Sequence, residues 1–225
     1  MQKSSRRGAE AAALFRSHPL KTLRALRDCL VLIAGKNGYL SATGWFRSLV
    51  LSASVDARGE PLPWITYASL RFLESKLSPE MEVFEFGSGA STLWWARRVR
   101  RVVSCEDDRE WFERTRTFAP ANVQLIHAGS AGQEYSRAIL PYNSQFDIVV
   151  IDGSDRVNCA RNCLGALKPN GVILWDNSDR EEYRPGFEFL REQGFRRVDF
   201  VGMTPINLFE CSTSILYRDG NCLGL

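Results

Sequence analysis

Four short stretches of this 225-residue chain carry side chains whose types and spacing could do chemistry. The first is Glu85-Phe86-Gly87-Ser88-Gly89. Its glycines permit a tight turn and let a ligand approach bare backbone. A helix opening just after it would turn free N–H groups and a positive dipole end toward a carboxylate or phosphate. The second is Cys105-Glu106-Asp107. An acid about twenty residues beyond a glycine turn accepts hydrogen bonds from ribose hydroxyls in nucleotide-binding sheets. The third and fourth are Asp152 and the pair Asp176-Asn177, each closing an apolar run. They are therefore oxygen donors at strand ends.

Two departures from the dinucleotide pattern narrow the ligand. That pattern wants Gly or Ala three residues after the second glycine, where this chain has Thr92. It also leaves no room for a carboxylate beside the pyrophosphate, whereas Glu85 suits a cation such as the α-ammonium of an amino acid. Together with Glu106 for the ribose, this points to S-adenosylmethionine rather than a nicotinamide dinucleotide, with Glu85, Gly87, Ser88, Gly89, Glu106 and Asp107 as cofactor contacts. Asp152, at its strand end, should face the cofactor as well. Asp152 and Asp176 are also the candidate catalytic residues, because an oxygen nucleophile needs a base or a metal to lower its pKa. Asp152, Asp176 and Asn177 form an all-oxygen donor set of the kind that takes Mg2+ or another hard divalent ion. Without metal, either aspartate serves as base, and His127 is a weaker third choice.

The elements that must position these groups are legible from periodicity. Strands are predicted at Glu82–Phe86, Val102–Cys105, Asn122–His127, Phe146–Ile151 and Val172–Trp175, alternating with helices at Thr92–Val99, Arg109–Phe118, Val157–Leu167 and Tyr183–Gln193. Lys168-Pro169-Asn170-Gly171 reads as the turn that closes the third of these helices. Two late strands, Arg196–Val201 and Ser214–Arg218, have no helix between them and should pair antiparallel. The expected fold is α/β, a doubly wound Rossmann-like sheet, mostly parallel with an antiparallel C-terminal strand. Its strand ends would gather all four stretches on one edge. Upstream, Trp64–Leu77 reads as a helix. So does Leu20–Ala34, with Leu23, Leu26, Leu30 and Ile33 on one stripe. That stripe is expected to dock on the rest of the protein, with a membrane surface as the alternative.

These residues resemble the motifs of the class I S-adenosylmethionine-dependent methyltransferases, over a span from Gly44 to the C-terminus. Glu85, Gly87 and Gly89 match the first motif, and Glu106 the ribose-binding acid. His127-Ala128-Gly129-Ser130 falls where that family contacts adenine, which adds Gly129 and Ser130 to the implied cofactor contacts. Phe146–Asp152 matches the fourth-strand motif, and Leu167–Val172 the turn before strand five. The set Asp152, Asp176 and Asn177 is similar to the metal ligands of catechol-type and caffeoyl-CoA-type O-methyltransferases. Pro61–Tyr67 and Thr213–Arg218 resemble bacterial members of the group that have no settled substrate. The resemblance implies the fold and the cofactor, and leaves the acceptor open.

Composition bounds the rest. An apolar fraction of 44% is that of a globular chain. The formal net charge is +3, but residues 1–50 hold nine basic residues against two acidic ones, and the remainder is net acidic. Residues 1–43 are thus expected to be a basic extension with an amphipathic helix, and 44–225 the methyltransferase domain. Six scattered cysteines with no C-x-x-C spacing, and only two histidines, argue against a zinc site and for a reducing, cytoplasmic setting. The expected activity is methyl transfer to an oxygen of a small molecule or glycan, with metal assistance as an option. A nucleic-acid methyltransferase guided by the basic arm ranks lower, because the body is acidic and no Asn-Pro-Pro-Tyr or Asp-Pro-Pro-Tyr tetrapeptide is present. A non-catalytic S-adenosylmethionine-binding module is the remaining alternative. Peripheral membrane contact through the N-terminal helix is the alternative to its docking on the protein.

Overall fold

The computed structural model of the chain describes residues 13, 15–35, 38–129 and 133–225. Its centre is a seven-stranded sheet. The strands are β1 Glu82–Phe86, β2 Arg101–Glu106, β3 Val123–His127, β4 Phe146–Ile151, β5 Leu167–Asp176, β6 Arg196–Gly202 and β7 Cys211–Tyr217. They lie in the order β3-β2-β1-β4-β5-β7-β6. Pairings from β3 across to β5 are parallel, and β7 runs antiparallel to both β5 and β6. This is the doubly wound Rossmann-like methyltransferase fold expected from the sequence.

Alternation along the central strands explains why continuous apolar runs are needed here. Val83, Ile148, Val150, Val172 and Leu174 belong to one core, with Leu73, Trp94 and Trp95. Phe84, Phe86, Val149, Ile151, Ile173 and Trp175 belong to the other, with Leu190. Neighbouring residues on a strand point to opposite faces, so a strand covered on both sides must be apolar at every step. The α-helices among the described residues are α1 Pro19–Ala34, α2 Tyr39–Ala42, α3 Trp45–Leu51, α4 Tyr67–Glu74, α5 Ala90–Ala96, α6 Arg109–Arg116, α7 Glu134–Arg137, α8 Arg156–Asn162 and α9 Arg184–Glu192.

Register places the site. Phe86 pairs with Cys105 and with Ile151, and Ile151 pairs with Trp175. The residues one step further on are Gly87, Glu106, Asp152 and Asp176, so all four reach the same edge of the sheet.

Three expectations differ from the structure. The helix predicted over Trp64–Leu77 begins at Tyr67, because Thr66 caps it: its side chain accepts from the Ser69 N–H. Thr66 N–H is meanwhile donated to Thr213 Oγ1 at 3.0 Å, and Tyr67 N–H to the Met203 carbonyl at 2.9 Å. The helix predicted to Leu167 ends at Asn162, and Lys168-Pro169-Asn170-Gly171 is part of β5 rather than a turn. Asp147, the one polar residue of β4, anchors this region. Its Oδ2 accepts from Lys168 Nζ at 2.7 Å and from the Glu82 N–H at 2.8 Å. Third, the stripe of α1 docks only at its end: Leu23, Leu26 and Leu30 are exposed, while Ile33 packs against the core.

Phe84 is fully buried and packs edge-on against Phe86, Phe146 and Tyr142. Phe84→Ala should cost about 3–5 kcal/mol of stability, read by urea denaturation, because rigid aromatic neighbours cannot close the cavity.

Candidate functional site

The glycine turn is held from below by a network of buried polar groups. Glu85 is 1% exposed. Its Oε2 accepts from Thr92 Oγ1 at 2.5 Å and lies 3.0 Å from Ser104 Oγ. Thr92 Oγ1 also accepts the Gly89 N–H at 3.0 Å, and Ser104 Oγ lies 2.6 Å from the Gly87 carbonyl. Thr92, the residue that breaks the dinucleotide pattern, is therefore the prop of the turn. Glu85 Oε1 is buried with no partner, and burial pushes this carboxyl up to about 7. A lone carboxylate oxygen facing no donor is costly, and it fits a ligand that brings a cationic amine.

Glu106 reaches back to the same turn. Its Oε2 accepts from Ser88 N–H at 2.9 Å and from Ser88 Oγ at 2.8 Å, while Oε1 accepts the backbone N–H groups of Asp107 and Asp108. Burial raises its carboxyl above the usual range, and the bonds from Ser88 and Asp108 work against that rise. Gly87 has φ +106° and Gly89 φ +146°, backbone that side chains rarely adopt. The turn also abuts the end of β4. A Cβ on Gly153 would fall 1.9 Å from Tyr135 Oη and 3.1 Å from Gly87 N. Gly153 must therefore be glycine, which composition alone did not reveal.

The second cluster lies at the ends of β4 and β5. Arg156 is 8% exposed and bridges them. Its guanidinium donates to the Asp176 carbonyl at 2.5 Å, to the Asp152 carbonyl at 2.9 Å and to Asp152 Oδ1 at 3.2 Å. Asp176 Oδ1 accepts from Thr213 Oγ1 at 2.6 Å, across the antiparallel β5–β7 pair. Burial drives both carboxyls upward. For Asp152 the neighbouring Asp176 adds to the rise and Arg156 opposes it. Asp176 is pushed up to about 6, with Thr213 and Arg156 opposing.

These residues line a cavity of about 500 Å3 with Asn177, Asp179, Arg180 and Glu210. Trp64 and Phe209 supply its aromatic wall. Asp152, Asp176 and Asn177 thus come together as expected, but they do not fit a divalent ion. The Arg156 guanidinium already holds the ends of both strands, Asp152 Oδ1 is turned to it, and Asp176 Oδ1 holds Thr213. A metal bound to these oxygens would sit against that fixed positive charge. Among the described residues, no group of three or more His, Cys, Asp or Glu side chains could hold a metal ion.

Other expected site residues separate from this centre. His127 ends the edge strand β3, with its ring near Phe112, three strands from β4. Gly129 follows β3 and its carbonyl accepts the Tyr135 N–H at 3.2 Å. Ser130 lies outside the described residues. Asp107 is half-buried beside Glu106. In the sequence Arg156 reads only as the end of a charged run that could line a substrate mouth; its bridge between the two strand ends is not legible there, although its i+4 spacing from Asp152 was a signal. Sequence reasoning also missed Trp111, whose Nε1 donates to the Ser88 carbonyl at 2.6 Å. The same indole lies 3.3 Å from where a Cβ on Gly89 would stand.

Comparison with known proteins agrees with the fold. Residues 84–178 match the model of a methyltransferase domain family. No curated protein matches the chain. Among solved structures, it is similar to a proposed O-methyltransferase from Klebsiella pneumoniae, with a TM-score of 0.51, 19% identity and coverage of 68% of this chain and 79% of that one. It is also similar to precorrin-6y C5,15-methyltransferase from Geobacter metallireducens, with a TM-score of 0.51, 15% identity and coverage of 69% and 92%. A third is a proposed methyltransferase from Streptococcus mutans solved in complex with SAH, with a TM-score of 0.50, 16% identity and coverage of 66% and 95%. At these identities the solved structures speak for the fold. The matched segment runs from β1 to just past β5, and the sheet topology is that of the class I methyltransferase fold.

Glu85 and Glu106 generate separate predictions. A carboxyl raised on folding stabilises the protein while it stays neutral, and that contribution is lost as pH rises through the folded value near 7. The cofactor-free protein should lose stability on the order of 3 kcal/mol from this group between about pH 4.5 and pH 7. Glu85→Gln, neutral throughout, should lack that slope in urea titrations. Parallel pH profiles for the two proteins would count against the assignment. Glu106→Ala removes the acceptor of both Ser88 donors, so binding of S-adenosylhomocysteine in calorimetry should weaken by at least about tenfold.

Proposed function

We propose that the chain transfers a methyl group from S-adenosylmethionine to an oxygen of a small, hydroxylated molecule or glycan, without metal assistance. One observation carries the acceptor reading: the cavity at the ends of β4 and β5 combines carboxylates, guanidinium groups and amides with the aromatic faces of Trp64 and Phe209. Donors and acceptors of both kinds, set against flat apolar surfaces, match a ring that bears hydroxyl groups.

When bound on the glycine turn, S-adenosylmethionine supplies the methyl group as an electrophile. Glu85 Oε1 would take its ammonium group, and the turn Gly87-Ser88-Gly89 would lie along its carboxylate end. Glu106 would turn toward the ribose, with Asp107, Gly129 and Ser130 on the adenosine side. Asp152, next to Gly153 and the turn, stands between this site and the acceptor cavity. Asp176 would accept the acceptor's hydroxyl proton as that oxygen takes the methyl group, the methyl–sulfur bond breaking to leave S-adenosylhomocysteine. Thr213 holds the carboxylate in place from behind, and Arg156 fixes both aspartates relative to each other. Methyl transfer is an in-line displacement, so this positioning supplies much of the rate, and the base adds about 10²–10⁴-fold.

The test uses labelled S-adenosylmethionine with a panel of hydroxylated acceptors. Asp176→Asn should lower kcat by about a hundredfold or more while leaving S-adenosylhomocysteine binding within about twofold. Chelation with EDTA should leave the rate unchanged. Loss of activity in EDTA, restored by Mg2+, would overturn the metal-free reading. A variant that keeps full kcat would remove Asp176 from the base role.

A further inference from the structure

Helix α1 stands outside both cores along most of its length. Leu20, Leu23, Leu26 and Leu30 are 82%, 65%, 53% and 67% exposed, while Ile33, near the helix end, packs against the core. Spacings of three and four put these leucines along one stripe. Lys21, Arg24 and Arg27 ride on the same helix, with Asp28 as its one acid.

Exposed apolar side chains are not confined to α1. Phe46, Val50 and Leu51 of α3 are exposed. Trp45, at the start of α3, donates its Nε1–H to the Asn207 carbonyl at 2.9 Å. That bond ties α3 to the loop carrying Leu208 and Phe209, which are 72% and 67% exposed. Asn207 and Phe209 also line the acceptor cavity.

Charge complementarity selects the occupant. Residues 1–50 carry nine basic residues and two acidic ones. Nucleic acid would pair with that charge but leave the leucines in water. A second copy would cover the leucines but bring an equal positive charge against them. An anionic bilayer surface satisfies both: leucines enter the headgroup–acyl boundary while Lys and Arg meet the anionic headgroups. No described helix is long and apolar enough to cross a membrane, so α1 would lie along the surface. We propose that α1, with α3 and the Leu208-Phe209 tip, is a docking face for an anionic lipid surface, with the acceptor cavity at its rim.

Flotation of the full chain with vesicles tests this. It should float with vesicles of phosphatidylcholine and phosphatidylglycerol, remain behind with phosphatidylcholine alone, and be released by salt. Leu23→Glu with Leu30→Glu, both at exposed positions, should reduce the vesicle-bound to free ratio by about tenfold or more. The variant's thermal melt and S-adenosylhomocysteine binding should not change. Failure of the wild type to float would overturn the proposal. So would wild-type dimers in sedimentation that the double variant converts to monomers, which would assign the face to a second copy. Binding to a generic RNA that survives the leucine substitutions, without flotation, would assign the basic residues to nucleic acid.

Discussion

Strand β4 reads Phe146-Asp147-Ile148-Val149-Val150-Ile151, and all six residues are buried. A strand with no solvated face must sit inside a sheet covered by helices on both sides. That requirement sets the parallel neighbours β1 and β5, whose own residues alternate between the two cores. Parallel pairing then brings the strand ends level, and the chemistry collects where they stop. Asp147 is the exception that holds the start of the strand, through Lys168 and the Glu82 N–H.

At that edge the structure gathers three carboxylates, Glu85, Asp152 and Asp176, with Glu85 and Asp176 buried and Asp152 partly so. Burial alone would drive all three toward the neutral form. The protein answers differently in each case. Glu85 is supported by hydroxyls on one oxygen and left open on the other. Asp152 is paired with Arg156, and Asp176 is held by Thr213. Arg156 binds backbone carbonyls of both strand ends as well as a side chain, so it serves as a strut and as the local positive charge. The two clusters meet where Gly87 and Gly153 pack against each other.

Two surfaces of opposite character follow from the uneven charge. The cavity at the ends of β4 and β5 holds more carboxylates than guanidinium groups, whereas the first fifty residues are strongly basic and α1 exposes a leucine stripe. The Trp45–Asn207 bond joins these regions, so the orientation of one relative to the other is built into the fold.

Much of this was legible in the chain itself. Period-two and continuous apolar runs marked all seven strands, because sheet burial imposes its pattern residue by residue. The glycine turn, its leading Glu85, Thr92 and the distant Glu106 pointed to the ligand class, because local backbone geometry and charge restrict what such a turn can hold. Strand ends also announced Asp152 and Asp176. What the sequence could not decide was how side chains far apart in the chain would compete for one another. Arg156 between the ends of β4 and β5, Thr213 behind Asp176, Trp111 over Gly89 and Tyr135 beneath Gly153 are contacts made across the sheet and between helices. The exposed face of α1 is of the same kind: an amphipathic stripe records that a surface must be covered, and only the tertiary structure shows that this protein does not cover it along most of the helix.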